Sequence, residues 1–319
     1  MPFPIEEKFV VAVASSALFN LDESDKIFRE KGEEEYRKYQ HENENVILDP
    51  GVAFPLIKRL LMINGQDPND QPVEVVLLSR NDPDTGLRVF KSIEHHGLSI
   101  SRAAFTAGAN PFVYMEAFNA SLFLSANPND VREAVRSGLP AAQIFPSQFV
   151  DDESELELRI AFDFDGIIAD DSSEGIYQEL GMQQFHENEK QKANEALPPG
   201  PLSKFFGEIA RMQHREWEKK QKDSSHIPRI RIAIATARNA PAHERVVTTL
   251  RSLGIRVDEA FFLGGIDKGR VLRVFRPHIF FDDQVGHIEG VSSISPSAHV
   301  PFGITNMKDT TSISSDPFE

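Results

Sequence analysis

The chain has 319 residues, of which 40% are apolar and 26% charged, with a formal net charge of −15 and no cysteine. That length accommodates one large or two ordinary domains with a sizeable core. The acidity disfavours nucleic-acid polymers and anionic membrane surfaces as partners, and the missing cysteines exclude disulfides, thiolate catalysis and thiolate metal ligands.

Phe9 to Ala14 is a β-branched apolar run suited to a buried parallel strand. Acidic rather than basic residues precede it, so it reads as a strand and not a signal peptide. Asp22 to Asn45 is charged, with a thin stripe of Ile27, Tyr36 and Tyr39, and predicts a solvated helix. Val73 to Leu78 predicts a strand, and Leu87 to Ile93 a helix. A strand near Ala103–Thr106, a helix from Phe112, a strand at Leu122–Leu124 and a helix from Asp130 follow. The polar segment Ser147 to Glu157 reads as a linker, after which the pattern restarts. Strands are predicted at Leu158–Phe162, Ile230–Ala235, Ala260–Leu263 and Ile279–Phe281, with a helix over Ala242–Leu253. Asp170 to Pro228 is charged and helical in character, and the tail from Asn306 is polar and loosely held. Alternating strands and helices predict an α/β fold with a doubly wound parallel sheet. No stretch approaches the ~18 apolar residues of a membrane helix, so a soluble cytoplasmic protein is expected.

The halves superpose in sequence. Arg80-Asn81-Asp82-Pro83 falls on Arg238-Asn239-Ala240-Pro241 at one offset (238 − 80 = 158), which also sets Leu122–Ser125 on Phe280–Asp283. At a slightly different offset Ala14 and Ser16 lie under Asp163 and Asp165. The expected organisation is residues 1–150 as a degenerate α/β repeat without the carboxylates, and 151–319 as the unit bearing the chemistry.

In that second unit four features occur in order, each at a strand end. Asp163-Phe164-Asp165-Gly166 offers two carboxylates at i and i+2, with a glycine that permits the turn. The crevice beyond the carboxyl ends of such strands is where ligands bind. Thr236, followed by Arg238, offers a hydroxyl and a guanidinium to phosphate oxygens, although a lone threonine there is more often a helix cap. Lys268 offers an ammonium at a helix start. Asp282 and Asp283 follow an apolar strand, and a cation between them and Asp163 would relieve their repulsion. Together these supply what phosphoryl transfer needs.

The order Asp-x-Asp, Thr, Lys, Asp-Asp resembles the four motifs of the haloacid dehalogenase superfamily. VAVASSALFN, KYQHENENVILDPGVAF, GPLSKFF, ATAR, RPHIFFDDQ and GHIEG resemble the cytosolic 5′-nucleotidase I family. The resemblance implies a haloacid dehalogenase-like fold and Mg²⁺-dependent hydrolysis of nucleoside 5′-monophosphates such as AMP. It implies Asp163 as nucleophile, Asp165 as acid/base, and Mg²⁺ on Asp163, Asp165 and Asp283, with Asp282 beside them. Thr236, Lys268 and Arg238 would hold the phosphoryl group. The further aspartate that many superfamily members carry after the acidic pair is missing, and Glu289 or a water is its expected substitute. An insert at about 170–228 would form a helical cap, in which Phe205, Phe206 and Trp217, and Phe164 outside it, are candidates to touch the substrate; aromatics at helical spacing are more often core. A regulatory nucleotide at Arg80 and Asn81, a wall of the active site there, or a purely structural first half are the alternatives for residues 1–150. Phosphatase action on another small ester, phosphotransfer to a nucleoside, and nucleotide binding without turnover are rival functions. A homo-oligomer is the default assembly.

Overall fold

A computed structural model of the chain describes residues 3–65 and 67–307. The expected loose tail lies outside the described residues beyond 307. The first half contains β1 (Phe9–Val13), α1 (Ser15–Leu18), α2 (Asp22–Lys31), α3 (Glu33–Glu42), α4 (Phe54–Leu61), β2 (Val73–Ser79), α5 (Leu87–His95), β3 (Arg102–Phe105), β4 (Ala120–Ser125), α6 (Pro128–Arg136) and β5 (Ala141–Phe145). The second half contains β6 (Leu158–Phe162), α7 (Ser172–Gln191), α8 (Ser203–Lys222), β7 (Ile230–Thr236), α9 (His243–Ser252), β8 (Glu259–Phe262), α10 (Gly269–Phe275), β9 (Ile279–Asp282), α11 (Val285–Val291), β10 (Ser297–His299) and α12 (Ile304–Met307).

All ten strands join one sheet in the order β3-β2-β1-β4-β5-β10-β9-β6-β7-β8. Every neighbouring pair is parallel except β5–β10. Each half is thus a five-stranded parallel sheet, and the two meet at one antiparallel seam. The strand ends of β1–β5 and of β6–β10 therefore point to opposite ends of the sheet. Arg80 and Asn81 follow β2 and cannot form a wall of a crevice at Asp163, which follows β6; that expectation is corrected.

Register also corrects the alignment of the halves. Val76 lies beside Ala12 as Ala233 lies beside Ala161, an offset of 157 (233 − 76) rather than 158. Ser79 then takes the place of Thr236, and Ser125 that of Asp282. The charged run from Asp22 is two helices, because Gly32 (φ 84, ψ −177) breaks the helical path. The helix expected from Phe112 is a single 3₁₀ turn, Pro111–Tyr114. The expected linker has no regular element but is tied down: the buried Arg59 of α4 donates to Asp151 and to the Asp152 carbonyl, both at 2.8 Å.

Strand side chains alternate between two apolar layers. Phe9, Val11, Val13, Leu158, Ile160 and Phe162 point into one continuous layer shared with α4 and α8. The opposite faces of the halves carry separate clusters, one around Ala12 and Phe123, the other around Ala161 and Phe280. At the centre of the continuous layer Phe205 lies 5.7 Å from Phe9, 6.0 Å from Phe162 and 5.7 Å from Phe281, ring to ring. β1 and β6 are five strand spacings apart, about 24 Å if the sheet were flat. Both touch the same ring, so the sheet curls around α8.

Phe205 and Phe206 are fully buried, so neither can stack on a nucleobase. They are core, and this half of the expected insert is sheet packing rather than cover. Trp217 is 47% exposed and lines a groove with Gly254 to Asp258, in the loop that enters β8, at the end of the sheet away from Asp163. Removing the Phe205 ring leaves a cavity between both half-sheets. Phe205→Ala should therefore destabilise the fold by ~3–5 kcal/mol, read as a lowered midpoint in urea unfolding followed by circular dichroism.

Candidate active site

β6 and β9 are hydrogen-bonded neighbours, with Phe162 beside Phe281. The residues that follow them, Asp163 and Asp282-Asp283, therefore emerge side by side. After Asp163 the chain must turn at once, and Gly166 does so at φ +73. A Cβ there would lie 2.8 Å from the Asp283 carboxyl group, so the glycine also makes room for that carboxylate. Thr236 ends β7 on the other side of β6, and Lys268 stands at the N-cap of α10.

Burial makes these charges costly. Asp163, Asp282, Asp283, Thr236, Arg238 and Lys268 are all buried. The Lys268 ammonium donates to Asp163 at 2.7 Å and to Asp282 at 2.6 Å. Burial opposes charge on Lys268, but the two carboxylates outweigh it and hold its pKa above the ordinary value. Asp163 also accepts the Phe164 backbone N–H at 2.7 Å. Burial pushes the Asp163 pKa up to about 6, against the pull of Lys268 and with help from Asp282. Asp282 is held further. It also accepts the Gln284 N–H at 2.9 Å and faces His287 Nδ1 at 3.1 Å, and its pKa is lowered although burial opposes this.

Asp283 is different. Among the described residues its Oδ1 is buried without a partner, and its Oδ2 accepts from Thr305 Oγ1 at 3.2 Å. Burial, then Asp163 and Asp282, push its pKa up to about 9. An orphaned carboxylate oxygen beside two other carboxylates suits a hard divalent cation. Ligand atoms of Asp163, Asp282 and His287 also lie within 4.8 Å of one another. Lys268 pairs with both Asp163 and Asp282, but Asp282 is further engaged by the Gln284 N–H and His287, so Asp163 with Asp283 is the better pair for a metal. The expected substitute Glu289 is exposed; after the acidic pair it is His287 that reaches the site.

Arg238, expected to hold phosphate, is engaged with two carboxylates. Its Nε and Nη2 each donate to one oxygen of Asp165 at 2.7 Å, and Nη1 donates to Glu189. Thr236 Oγ1 accepts the Arg238 N–H at 3.2 Å, which leaves the hydroxyl proton free to donate. Phe164 is fully buried, with its ring 5.4 Å from the Arg238 guanidinium carbon, so it fills space rather than facing a ligand.

Several residues at the site carry no local sequence signal. Glu189 sits inside a charged run, and Arg245 inside an ordinary helix. Asn306 falls at the start of the expected loose tail, yet its side chain donates to the carbonyls of Asp283 (2.9 Å) and Phe302 (2.7 Å). His287 lies in GHIEG, five residues after Asp282, and that spacing from a helix start was its only sign.

A family model described as 5′-nucleotidase matches residues 1–307. Human cytosolic 5′-nucleotidase 1B is 35% identical over 309 residues, covering 94% of this chain and 50% of the human protein. The chain thus spans about half the length of that curated relative. No solved structure matches the chain.

Replacing Lys268 with Met leaves two buried carboxylates unneutralised. Lys268→Met should cost ~3–5 kcal/mol at pH 8. Without the ammonium, Asp163 and Asp282 would titrate above their unfolded values in the folded state. The folded protein then binds more protons than the unfolded one, and the loss should shrink as pH falls toward 5. Denaturant midpoints of both proteins across that range check the sign.

Proposed function

The chain belongs to the 5′-nucleotidase family, and from this we propose that it is a Mg²⁺-dependent 5′-nucleotidase that hydrolyses nucleoside 5′-monophosphates through a phospho-aspartyl intermediate. The observation that carries the reading is the buried Asp163 carboxylate, paired with Lys268 and lying beside the orphaned oxygen of Asp283.

Asp163 attacks phosphorus in line and forms an acyl phosphate, with the ester bond to the nucleoside 5′ oxygen breaking. Asp165 passes a proton to that oxygen. Asp165 then takes a proton from the water that cleaves the acyl phosphate, so the cycle ends with the starting protonation. Lys268 keeps Asp163 ionised, and with Thr236 it donates to the phosphoryl oxygens. Asp163, Asp283 and the Asp165 carbonyl would hold the metal, which supplies positive charge opposite the charge that builds on the phosphoryl oxygens. The fold class proposed is haloacid dehalogenase-like in the second half, with the α7 segment as the part of the insert placed to cover the site.

The first half is proposed to be a degenerate copy with a structural role. Arg80 is held by Asp130, Asn110 and the Gly108 carbonyl, and Asn81 accepts from Tyr36 at 3.0 Å. Those contacts satisfy the arginine without a bound phosphate. Among the described residues no helix is long and apolar enough to cross a membrane.

Phosphate release from nucleoside monophosphates and sugar phosphates, with Mg²⁺ and with chelator, tests the function. Wild type should release phosphate from nucleotides only with Mg²⁺, and Asp163→Asn should lose at least ~10³-fold. Release only from other esters would keep the chemistry and discard the nucleotidase. Adding an acceptor nucleoside and finding new monophosphate would make the protein a phosphotransferase.

The metal assignment has a separate readout. In the metal-free protein Asp283 titrates at about 9, above its unfolded value near 3.8. The folded state therefore binds the extra proton, and stability should fall as pH rises between those values. Mg²⁺ should reduce that fall, adding about 2.7 kcal/mol at a hundred times its dissociation constant. Asp283→Asn should flatten the slope above about pH 6, where Asp163 no longer contributes, and remove the Mg²⁺ response in thermal unfolding.

A further inference from the structure

The acid/base carboxylate is held by an arginine that is itself held from the insert. Both oxygens of Asp165 accept from Arg238, and the Asp165 side chain keeps only 23% exposure. The guanidinium carbon has Phe164 on it at 5.4 Å and Phe185 of α7 at 5.5 Å. The other anion on Arg238 is Glu189, also of α7, which is fully buried. Glu189 accepts in addition from Arg245 (2.9 Å), Ser173 (2.9 Å) and Asn188 (3.1 Å). Burial opposes its ionisation, yet Arg238 outweighs this and its pKa is lowered.

Ser173 and Glu189 are 16 residues apart. Along an unbroken helix they would be separated by about 24 Å. They meet because Gly181 (φ 82, ψ 177) breaks the helical path and α7 folds back on itself. The Ser173–Glu189 hydrogen bond closes the two arms at their base, where Glu189 meets Arg238. A fully buried carboxylate is costly unless paired, and phosphoryl transfer itself requires none at this position.

We propose that Arg238 and Glu189 are positioning residues: through them the folded-back α7 sets the orientation of the Asp165 carboxylate for proton transfer. The proposal rests on the phosphatase reading of Asp165. A two-point ion pair defines a plane as well as a distance, so the guanidinium fixes where both oxygens of Asp165 point. Phe164 and Phe185 keep the guanidinium from rotating, and Glu189 keeps it from withdrawing. Phosphate binding is left to Thr236 and Lys268.

The test is a double-mutant cycle on steady-state hydrolysis of AMP with Mg²⁺. Glu189→Gln and Arg238→Lys are each made in the wild type and in Asp165→Asn. In the wild type each should lower kcat by about 10- to 100-fold, as misplacement of a reacting group does, with KM changed by less than about threefold. In the Asp165→Asn background the further loss should be under about threefold, because residues that act through one group are not additive. Equal losses in both backgrounds, or a raised KM with kcat kept, would overturn the proposal in favour of a folding or phosphate-binding role. Should Arg238→Lys fail to fold, Ser173→Ala takes its place in the cycle with a smaller loss expected in the same pattern. A crystal structure of Glu189→Gln reads the clamp without activity: a displaced Arg238 and a turned Asp165 support it, and an unmoved pair overturns it. If the wild type hydrolyses no ester at all, the phosphatase reading fails, and that crystal structure still decides the clamp.

Discussion

A lysine ammonium lying between two buried carboxylates is the interaction on which the site depends. Strand pairing of β6 with β9 brings Asp163, Asp282 and Asp283 to one place, and three negative charges in a dry crevice cannot coexist unaided. Lys268 neutralises Asp163 and Asp282 together. Asp283 is then left over, with one oxygen unpartnered. The same packing that buries Asp163 thus creates a demand for further positive charge. Gly166 belongs to this arrangement, since any side chain there would collide with Asp283.

Opposing charges recur a layer outward. Asp165 is paired with Arg238, Arg238 with Glu189, and Glu189 with Arg245. Charges buried in an alternating chain screen one another, and breaking any link strands the next. From the C-terminal side, Thr305 and Asn306 hold Asp283, and the backbone N–H of Ile304 donates to Asp171 at 2.5 Å, just before α7. Both ends of the site are thereby braced against one helix.

The first half reaches this site only through the core. Its strand ends open toward the other end of the sheet, and the ring of Phe205 is the meeting point of β1 with β6 and β9. Gly32 between α2 and α3 has nearly the dihedrals of Gly181 in α7. The halves therefore share a helical break as well as a strand order, while the equivalents of Asp163, Asp165 and Asp282 in the first half are Ala14, Ser16 and Ser125. With those carboxylates gone, no lysine or metal is needed there, and Ser15 simply bonds Ser79 at 2.9 Å.

Much was legible from residue order, because the signals are local. A buried parallel strand shows as a short β-branched run, and a strand end bearing Asp163-Phe164-Asp165-Gly166 shows as a turn with two acids. Those patterns located eight of the strands and the buried carboxylates of the site. β5 and β10 escaped notice, since Ala141–Phe145 and Ser297–His299 are short and poor in β-branched residues. Yet they form the seam that reverses one half against the other, and so decide that Arg80 lies far from Asp163. Arg238 reads in sequence as a phosphate ligand because a strand end and a positive charge suggest one; its partners, Glu189 and Asp165, come from 49 and 73 residues away. Which acid an arginine meets, which aromatic is core and which carboxylate stays unpaired are contacts between distant segments. They follow from how the sheet curls around α8, and no stretch of the chain encodes that locally.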